Sequence, residues 1–555
     1  MPGSATRRLS VSFPVLAATV CLLSLRVRTA RAEVALVAPG GRKIVGIAIR
    51  GEDEKDLDLE IYRGFGKRFP KKAIVRRIET DRSQRGERRE FDRRLKSLAD
   101  DDVAGGLKLA EWARGKGLVI QALALLHDFR QRFPENAGVL AALPVAGEKK
   151  SLGEAERGFL RAQVAAFFKP GAARREILEK LEGRDVLPLA EVEEWARLCF
   201  AEARKGPKVK AGDTEFKRLK FVNKLHIELW RRKPAAGKKA GAGADARWPV
   251  LIALHGGGRG SGHWKLGGPM YLKSFRRHFD RLIFVAPTVM KKAYAEWAGN
   301  PAEEYQVREM LRAVKRTWKV DTDRVYLAGY SMGGYGTWHI GGHGADVFAG
   351  LVSGAGGILV GVGRGETWGW GIVGNLMHTP IAFQHGGRDR PAPPWSDAEC
   401  DRILKGLAAE HPGCYRYKYR FFPGKGHSLP GSATAEAVEW IARFKRNPHP
   451  KKIVWEPKRS FNRQFYWLRV KKPQIFTRLE AAVRDNAVTL RTLNLNGGFH
   501  VMLNRHLVDL SRPVSVTVNG KLVHRGHVRP TLSTILITVS ERIDERQWFP
   551  ARIDF

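Results

Sequence analysis

Apolar and polar positions follow a regular order between residues 213 and 449. Short apolar runs alternate there with longer segments in which the apolar residues have helical spacing. The predicted strands are 249–254, 282–286, 324–328, 348–353, 380–384 and 415–422. Short apolar strands separated by helices are typical of a mostly parallel sheet that is covered on both faces. The predicted fold class of this region is therefore α/β.

The regions on either side of this domain have other patterns. Residues 33–95 predict a small β module with a charged linker, and residues 96–212 predict tetratricopeptide-like helices. These helices fit a docking arm for another protein or a spacer packed on its neighbours, and we favour the spacer. Residues 450–555 show short strand patterns, an Asn-Gly hairpin turn at 519–520 and no helical spacing. They predict a small β-rich C-terminal domain without helices.

Residues 1–32 have the pattern of a secretory signal peptide. Adjacent arginines at positions 7 and 8 precede an apolar stretch at 11–25, and Ala-Arg-Ala at 30–32 predicts cleavage before Glu33. An uncleaved membrane anchor is the alternative, although the stretch is short beside the roughly 20 residues that a spanning helix needs. No later segment approaches about 18 consecutive apolar residues. We therefore expect an exported protein, periplasmic or extracellular, that is not integral to the membrane after cleavage.

The formal net charge is +40, and Lys and Arg residues are distributed along the whole chain. Such a surplus can indicate nucleic-acid binding, but no RNA-recognition, zinc-finger or helix-turn-helix pattern accompanies it. The main interpretation is a solvated basic surface, and attraction to an anionic surface of the cell envelope is the alternative. We therefore expect no nucleic-acid partner.

The cysteines that remain after the predicted cleavage are Cys199, Cys400 and Cys414. They form no CxxC pair and no metal-ligand spacing, which excludes a disulfide scaffold and a structural zinc site of the cysteine type. Pairing of Cys400 with Cys414 in an oxidising compartment stays open. No metal ion and no organic cofactor is predicted.

The most informative motif is Gly-Tyr-Ser-Met-Gly at 329–333. It follows the apolar segment 325–328 directly and begins a predicted helix, which is the strand–turn–helix context of a nucleophile elbow. Glycines flank the serine because a side chain in so tight a turn would collide with the adjoining strand and helix. The motif predicts Ser331 as a nucleophile.

A serine hydroxyl needs a base, and the base needs an acid to orient it. Asp389 follows the predicted strand 380–384 after a glycine-containing turn, and His427 lies in a glycine-flanked loop after the strand that ends at residue 422. Both positions fall at the carboxyl edge of a parallel sheet, as Ser331 does. The competing interpretations are a turn-forming aspartate and a surface histidine. Asp346 lies too early in the chain for the acid, and Asp397 is expected to begin a helix.

An acyl-transfer site must also stabilise an oxyanion. The apolar run that ends at Leu254 leads into His-Gly-Gly-Gly at 255–258, and we expect the N–H groups of Gly257, Gly258 and Met332 to supply this stabilisation. His255 itself is expected to pack rather than react. Four tryptophans in loops at the same edge are candidate substrate contacts or ordinary loop packing. They are Trp264, Trp297, Trp368 and Trp370.

Residues 216–448 resemble the α/β-hydrolase superfamily, and within it the secreted polyhydroxybutyrate depolymerases, feruloyl esterases and phospholipase/carboxylesterase enzymes. The matching segments are 255–258, 329–334, 385–389 and 424–427. The resemblance implies a carboxylic ester hydrolase that acts on a small-molecule or polymer ester through an acyl-enzyme. A serine peptidase of the prolyl oligopeptidase type shares these motifs, although residues 33–215 cannot hold its propeller. A non-catalytic scaffold that binds an envelope polymer or partner is the alternative from another functional class.

Overall fold

The computed structural model describes most of the chain from residue 85 onward and the backbone of six short strands before it. The ranges from residue 85 are 85–143, 151–218, 221–232, 246–257, 263–289, 297–298, 301–358, 372–474, 477–495 and 497–555. All of them belong to the compact unit Ala32–Phe555. The predicted signal peptide, Gly258, Trp368 and Trp370 lie outside the described residues. Within these ranges, no helix has both the length and the apolar character needed to span a bilayer.

The first strands form two three-stranded sheets, ordered β2-β1-β6 and β3-β4-β5. They are β1 (Val34–Val37), β2 (Lys43–Gly46), β3 (Ala48–Glu52), β4 (Asp56–Tyr62), β5 (Phe65–Pro70) and β6 (Arg76–Glu79). The segment predicted as a charged linker contains β5, β6 and the first helix, α1 (Arg85–Lys96). Basic residues dominate the sequence of α1, so its polar pattern did not predict a buried residue. Phe91 of this helix is nevertheless 1% exposed and packs on the next helices.

Six further helices follow before the central sheet. They are α2 (Val103–Gly115), α3 (Val119–Arg132), α4 (Ala137–Ala142), α5 (Glu154–Phe168), α6 (Arg174–Leu181) and α7 (Val192–Ala203). Asp102 caps α2 by accepting a hydrogen bond from the Gly105 N–H at 2.8 Å. The helices α2 and α3 pack closely because Gly106 has no side chain, so that the ring of Phe129 occupies the space of a Cβ.

The central sheet has eight strands in the order β14-β13-β12-β11-β9-β10-β8-β7. Neighbouring strands from β9 to β14 are parallel, and β8 and β7 add an antiparallel edge. This confirms the predicted mostly parallel α/β sheet. The strands are β7 (Gly212–Arg218), β8 (Phe221–Arg231), β9 (Trp248–Leu254), β10 (Arg281–Pro287), β11 (Val320–Tyr330), β12 (Gly350–Gly354), β13 (Ile381–Gly386) and β14 (Tyr417–Phe422).

Helices cover both faces of this sheet. They are α8 (Gly268–Phe275), α9 (Pro301–Thr317), α10 (Met332–His343), α11 (Trp395–Glu410) and α12 (Gly431–Ile441). Along β9, Val250 and Ile252 pack in one core cluster with α9, α10 and α11, whereas Leu251 and Ala253 pack in another with α8 and α12. Every residue of β9 is buried for this reason, which explains its continuous apolar sequence.

The C-terminal region contains a five-stranded sheet, β15-β18-β19-β21-β22, and a four-stranded sheet, β16-β17-β20-β23. Its elements are β15 (Lys452–Trp455), β16 (Gln464–Phe465), β17 (Leu468–Val470), β18 (Arg478–Arg484), β19 (Ala487–Leu493), β20 (Phe499–Leu503), β21 (Val514–Val518), β22 (Lys521–Gly526), α13 (Leu532–Arg542) and β23 (Ala551–Asp554). The predicted absence of helices from this region is wrong, because α13 is a buried helix. Its β-branched residues favour a strand locally, and tertiary packing overrides that preference.

The helix α13 shares a core with α5, α6 and α7 of the N-terminal half. Leu532, Ile535, Leu536 and Val539 lie on this face, and all are 0% exposed. Asp185 binds the start of the helix, since its carboxylate accepts a hydrogen bond from the Ser533 N–H at 2.8 Å. The N-terminal helices and the C-terminal region are therefore packed as one body around this helix.

Buried ion pairs also join the C-terminal region to the central domain. Arg446 contacts Asp544 at 2.8 Å and Asp323 at 2.9 Å, and Arg542 contacts Asp346 at 2.7 Å. Burial opposes the charge of Asp544, but Arg446 and Lys315 together hold the pKa of this carboxyl far below its usual value. Since a buried charge without its partner is costly, these pairs fix the orientation of the attached elements.

We predict that Leu536→Ala lowers the free energy of unfolding by about 2–5 kcal/mol, because it leaves a cavity between α13 and the N-terminal helices. Leu189→Ala is the control, since Leu189 is 37% exposed and should change the stability by less than about 0.5 kcal/mol. Thermal and denaturant unfolding of both variants measure the difference. Equal stability of the two variants would contradict the shared core.

Candidate active site

Ser331 lies in a strained turn between β11 and α10. Its backbone has φ +56° and ψ −121°, which is unusual for a residue with a side chain and exposes the hydroxyl at the carboxyl end of the strand. A Cβ on Gly329 would lie 2.1 Å from the Gly333 oxygen, and one on Gly333 would lie 2.2 Å from the Leu254 oxygen. Both glycines are therefore required by the close contact of this turn with its surroundings.

His427 connects the serine to the acid. It lies in the loop between β14 and α12, and its Nε2 is 2.9 Å from Ser331 Oγ. On the other side of the ring, Nδ1 is 2.8 Å from Oδ2 of Asp389, which follows β13. With the proton on Nδ1 donated to the carboxylate, Nε2 can accept the proton of the serine hydroxyl.

The acid is enclosed and the base is accessible. The side chain of Asp389 is 0% exposed, and its Oδ1 accepts a hydrogen bond from the Ala392 N–H at 2.9 Å. The side chain of His427 is 31% exposed. A carboxylate fixed in this way can hold the imidazole in one orientation while the reactive nitrogen stays within reach of a substrate.

The loop after β9 lies directly against the nucleophile. A Cβ on Gly256 would be 3.6 Å from Ser331 Cβ, and Gly257 has φ +87°, a conformation that favours glycine. Met332 begins α10, so its N–H belongs to the first turn, where helical N–H groups have no partner within the helix. Of the described members of the predicted oxyanion set, Met332 follows Ser331 along the chain, and Gly257 follows Gly256, the residue that lies against Ser331.

His255 stabilises the loop after β9 through hydrogen bonds. It is 0% exposed, its Nε2 accepts the Val289 N–H at 3.1 Å, and its Nδ1 donates to the Gly256 oxygen at 2.7 Å. Burial lowers the pKa of His255, which favours this neutral form. The Trp297 indole donates to the His255 oxygen at 3.1 Å. His255 thus has the packing role that the sequence indicates.

The two described tryptophans of the predicted pocket occupy packed positions. Trp297 is 0% exposed and packs beneath the loop after β9, where Gly336 of α10 leaves room for it. Trp264 stacks on the ring of His226 with 3.7 Å between centroids, and it also contacts Phe284. Both positions correspond to the packing interpretation of these residues.

The competing acids have other partners. Asp346 pairs with Arg542 and accepts the Tyr466 N–H at 2.7 Å, so it belongs to the junction with the C-terminal region. Asp397 lies in the first turn of α11 and contacts His385 at 2.8 Å. Over the described ranges, no cluster of three or more His, Cys, Asp or Glu side chains could hold a metal ion. The cysteines Cys199, Cys400 and Cys414 are free.

Tyr330 is a site residue that the sequence argument missed. Its hydroxyl donates to the His427 carbonyl at 2.5 Å and accepts the Leu429 N–H at 3.2 Å. Burial raises the pKa of Tyr330 to about 12, so the hydroxyl keeps its proton over the working range of the triad. The residue before the nucleophile therefore holds the loop that carries the base. The only signal for this role in the sequence is an aromatic hydroxyl inside the elbow motif.

We predict that Tyr330→Phe lowers kcat about threefold to tenfold with little change in KM, because one net hydrogen bond of about 0.5–1.5 kcal/mol no longer holds the His427 loop. Tyr417→Phe on β14 is the control, and its kinetics should match those of the wild type. Steady-state kinetics with one ester substrate measure both variants. Unchanged kcat in Tyr330→Phe would show that the loop holds its position without this hydroxyl.

No family model matches the chain, and no curated protein matches it. Among solved structures, a thermostable esterase is 20% identical, with 42% of this chain and 62% of that chain covered and a TM-score of 0.32. A ferulic acid esterase is 15% identical (43% and 99% covered, TM-score 0.32), and the Pyrococcus horikoshii acylaminoacyl peptidase is 14% identical (44% and 43% covered, TM-score 0.32).

Because these solved structures are only distantly similar to the chain, the fold is identified from the strand order and the elbow of this protein itself. Ser331, Asp389 and His427 follow β11, β13 and β14 in that chain order, and hydrogen bonds join them through His427. Since these strands are parallel members of one sheet with helices on both faces, the central domain has the α/β-hydrolase fold.

Proposed function

We propose that this protein is a serine hydrolase that cleaves carboxylic esters through an acyl-enzyme intermediate. One observation carries the proposal: the continuous chain of hydrogen bonds from Ser331 Oγ through His427 to Asp389, at 2.9 and 2.8 Å. A serine hydroxyl at a strained elbow, hydrogen-bonded to an imidazole that an enclosed carboxylate orients, is the arrangement that activates serine as a nucleophile.

In the first half of the proposed reaction, Ser331 Oγ attacks the carbonyl carbon of the ester. His427 Nε2 takes the hydroxyl proton, and Asp389 stabilises the resulting imidazolium without becoming protonated. The N–H groups of Met332 and of the loop at 257–258 receive the oxyanion of the tetrahedral intermediate. Collapse of this intermediate breaks the bond to the alcohol, and His427 returns its proton to the departing oxygen.

In the second half, a water molecule attacks the acyl-enzyme. His427 removes a proton from this water, and the second tetrahedral intermediate releases the carboxylic acid and restores the serine hydroxyl. The 31% exposure of His427 supports this step, because water must reach Nε2 once the alcohol has left.

We predict that a fluorophosphonate probe labels the wild-type protein covalently and does not label Ser331→Ala. Asp389→Asn should retain the fold but lose about 10³–10⁴-fold in kcat, since an amide no longer fixes the productive tautomer of His427. Intact-protein mass spectrometry measures the labelling, and hydrolysis of short acyl esters measures kcat. A wild-type protein that does not label would favour the non-catalytic scaffold.

An ethyl ester and a peptide amide with the same acyl group compare esterase activity with peptidase activity. The proposal expects the ester to have the higher kcat/KM across a panel of acyl groups. An amide that reacts as fast as its ester, or faster, would identify a serine peptidase and overturn the ester assignment. The Ser331→Ala variant serves as the blank for both substrates.

We further propose that the protein is exported, and the same experiment tests whether its basic surface binds an anionic envelope. The support is the arginine pair at 7 and 8, the apolar stretch at 11–25 and the small residues at 30–32. Expression of the full chain should yield a mature protein that begins at Glu33, as read by N-terminal mass spectrometry of the extracytoplasmic fraction. Retention of residues 1–32 on the purified protein would contradict cleavage, and release of the mature form from envelopes by salt would support electrostatic anchoring.

A further inference from the structure

A second histidine lies behind the catalytic acid. His385 is in β13, four residues before Asp389, and its side chain is 0% exposed. Its Nδ1 is 2.8 Å from Asp397 Oδ2, and its Nε2 is 2.7 Å from the Ala392 carbonyl oxygen. The same Nε2 is 3.4 Å from Asp389 Oδ2, the carboxylate oxygen that contacts His427. Asp389 therefore lies between two imidazole rings.

The partners of His385 are hydrogen-bond acceptors on both sides of the ring. The Ala392 oxygen is a carbonyl and can only accept. Asp397 accepts the indole N–H of Trp338 at 3.1 Å and a backbone N–H from Gly356, and although burial raises the pKa of this carboxyl, both hydrogen bonds favour its ionised form. A neutral imidazole carries one proton, so it would leave one of these buried acceptors without a donor. An imidazolium carries a proton on each ring nitrogen and so donates a hydrogen bond to both acceptors.

We propose that His385 is a protonated positioning residue that binds the acid loop to α11 and holds Asp389 in line with His427. The inference rests on the function proposed above and adds a residue to its machinery. His385 does not touch the substrate. It acts by holding the turn 386–392 through Ala392, whose N–H binds one oxygen of Asp389 while its carbonyl binds the His385 ring.

The charges around His385 are consistent with this state. Burial opposes a charged ring, but the hydrogen bond and charge of Asp397, the Ala392 carbonyl and the charge of Asp389 together raise the pKa of His385. Among the described residues, Cys400 on α11 and Tyr419 on β14 are titratable groups on which the charge of Asp397 acts. Burial, reinforced by the charge of Asp397, raises the pKa of both, so they stay neutral and add no competing charge.

The positive ring has two effects on the reaction. It limits rotation of the Asp389 carboxylate, which preserves the 2.8 Å contact with His427. It also places a positive charge near the acid–base pair, and a nearby positive charge disfavours protonation of the base. In His385→Gln the positive ring is lost while the Asp397 carboxylate that faces it stays. The acidic limb of the pH–rate profile should therefore move upward when the charge is lost.

Two variants test these effects. His385→Gln removes the charge and keeps a donor group of similar length, whereas Asp397→Asn keeps the shape of the carboxyl and removes the counter-charge of the ring. The control is Glu399→Gln, which removes an acid from the same helix where its partner is Arg402, near the surface. Thermal unfolding establishes that each variant is folded.

We expect kcat to fall about 10- to 100-fold in His385→Gln and Asp397→Asn, with KM within about twofold, as for other groups that orient a functional side chain. In His385→Gln the acidic limb of kcat/KM should also move up by about half a pH unit or more. Glu399→Gln should behave as the wild type. A fall in stability with unchanged kcat in both variants and an unchanged acidic limb in His385→Gln would show a purely structural role and overturn the proposal.

Nuclear magnetic resonance of the full wild-type protein with ¹⁵N-labelled histidine gives an independent readout that needs no active variant. We expect both ring nitrogens of one buried histidine to carry protons at pH 7, and this signal to be absent from His385→Gln. A neutral His385 ring, with the shared proton on Asp397 instead, would overturn the assignment. If the wild type shows the imidazolium signal but does not react with the fluorophosphonate probe, the proposed hydrolase function fails while the charge state of His385 stands.

Discussion

The close contact between the elbow and the end of β9 is the constraint on which the site depends. The Leu254 oxygen and the position of a Gly333 Cβ are separated by only 2.2 Å, so α10 can approach the sheet this closely only at a glycine. This approach places the first turn of α10 and the loop after β9 on either side of Ser331. The positive φ of the serine follows from the same tight connection between strand and helix.

The sequence predicts the sheet and the triad well because both follow from strong local patterns. The apolar runs of the central strands are continuous since these strands are buried on both faces, as the complete burial of β9 shows. Parallel strands bring their carboxyl ends to one edge, and residues that follow different strands therefore meet. Chain order and strand ends predicted that Ser331, His427 and Asp389 meet, and the structure places them within hydrogen-bond distance.

The supporting residues were not predictable in the same way. His385 and Tyr330 lie within the motif segments 385–389 and 329–334, but their roles depend on contacts with the Ala392 and His427 carbonyls, which the sequence does not reveal. The helix α13 was missed for a related reason. Its β-branched residues favour a strand, and the distant Asp185 and the α5–α7 core stabilise the helix against that preference. Properties that depend on distant partners require the three-dimensional structure.

The contact between Asp185 and Ser533 spans 348 residues of the chain. The helices α5–α7 are synthesised before the central domain, yet part of their apolar surface stays exposed until α13 has been synthesised. Long-range contacts of this kind slow folding, and the open apolar surface favours aggregation in the interval. A ribosome makes α5–α7 long before α13, so their shared core is complete only after the C-terminal region has been synthesised. A chain lacking its final residues would leave α5–α7 without a complete core.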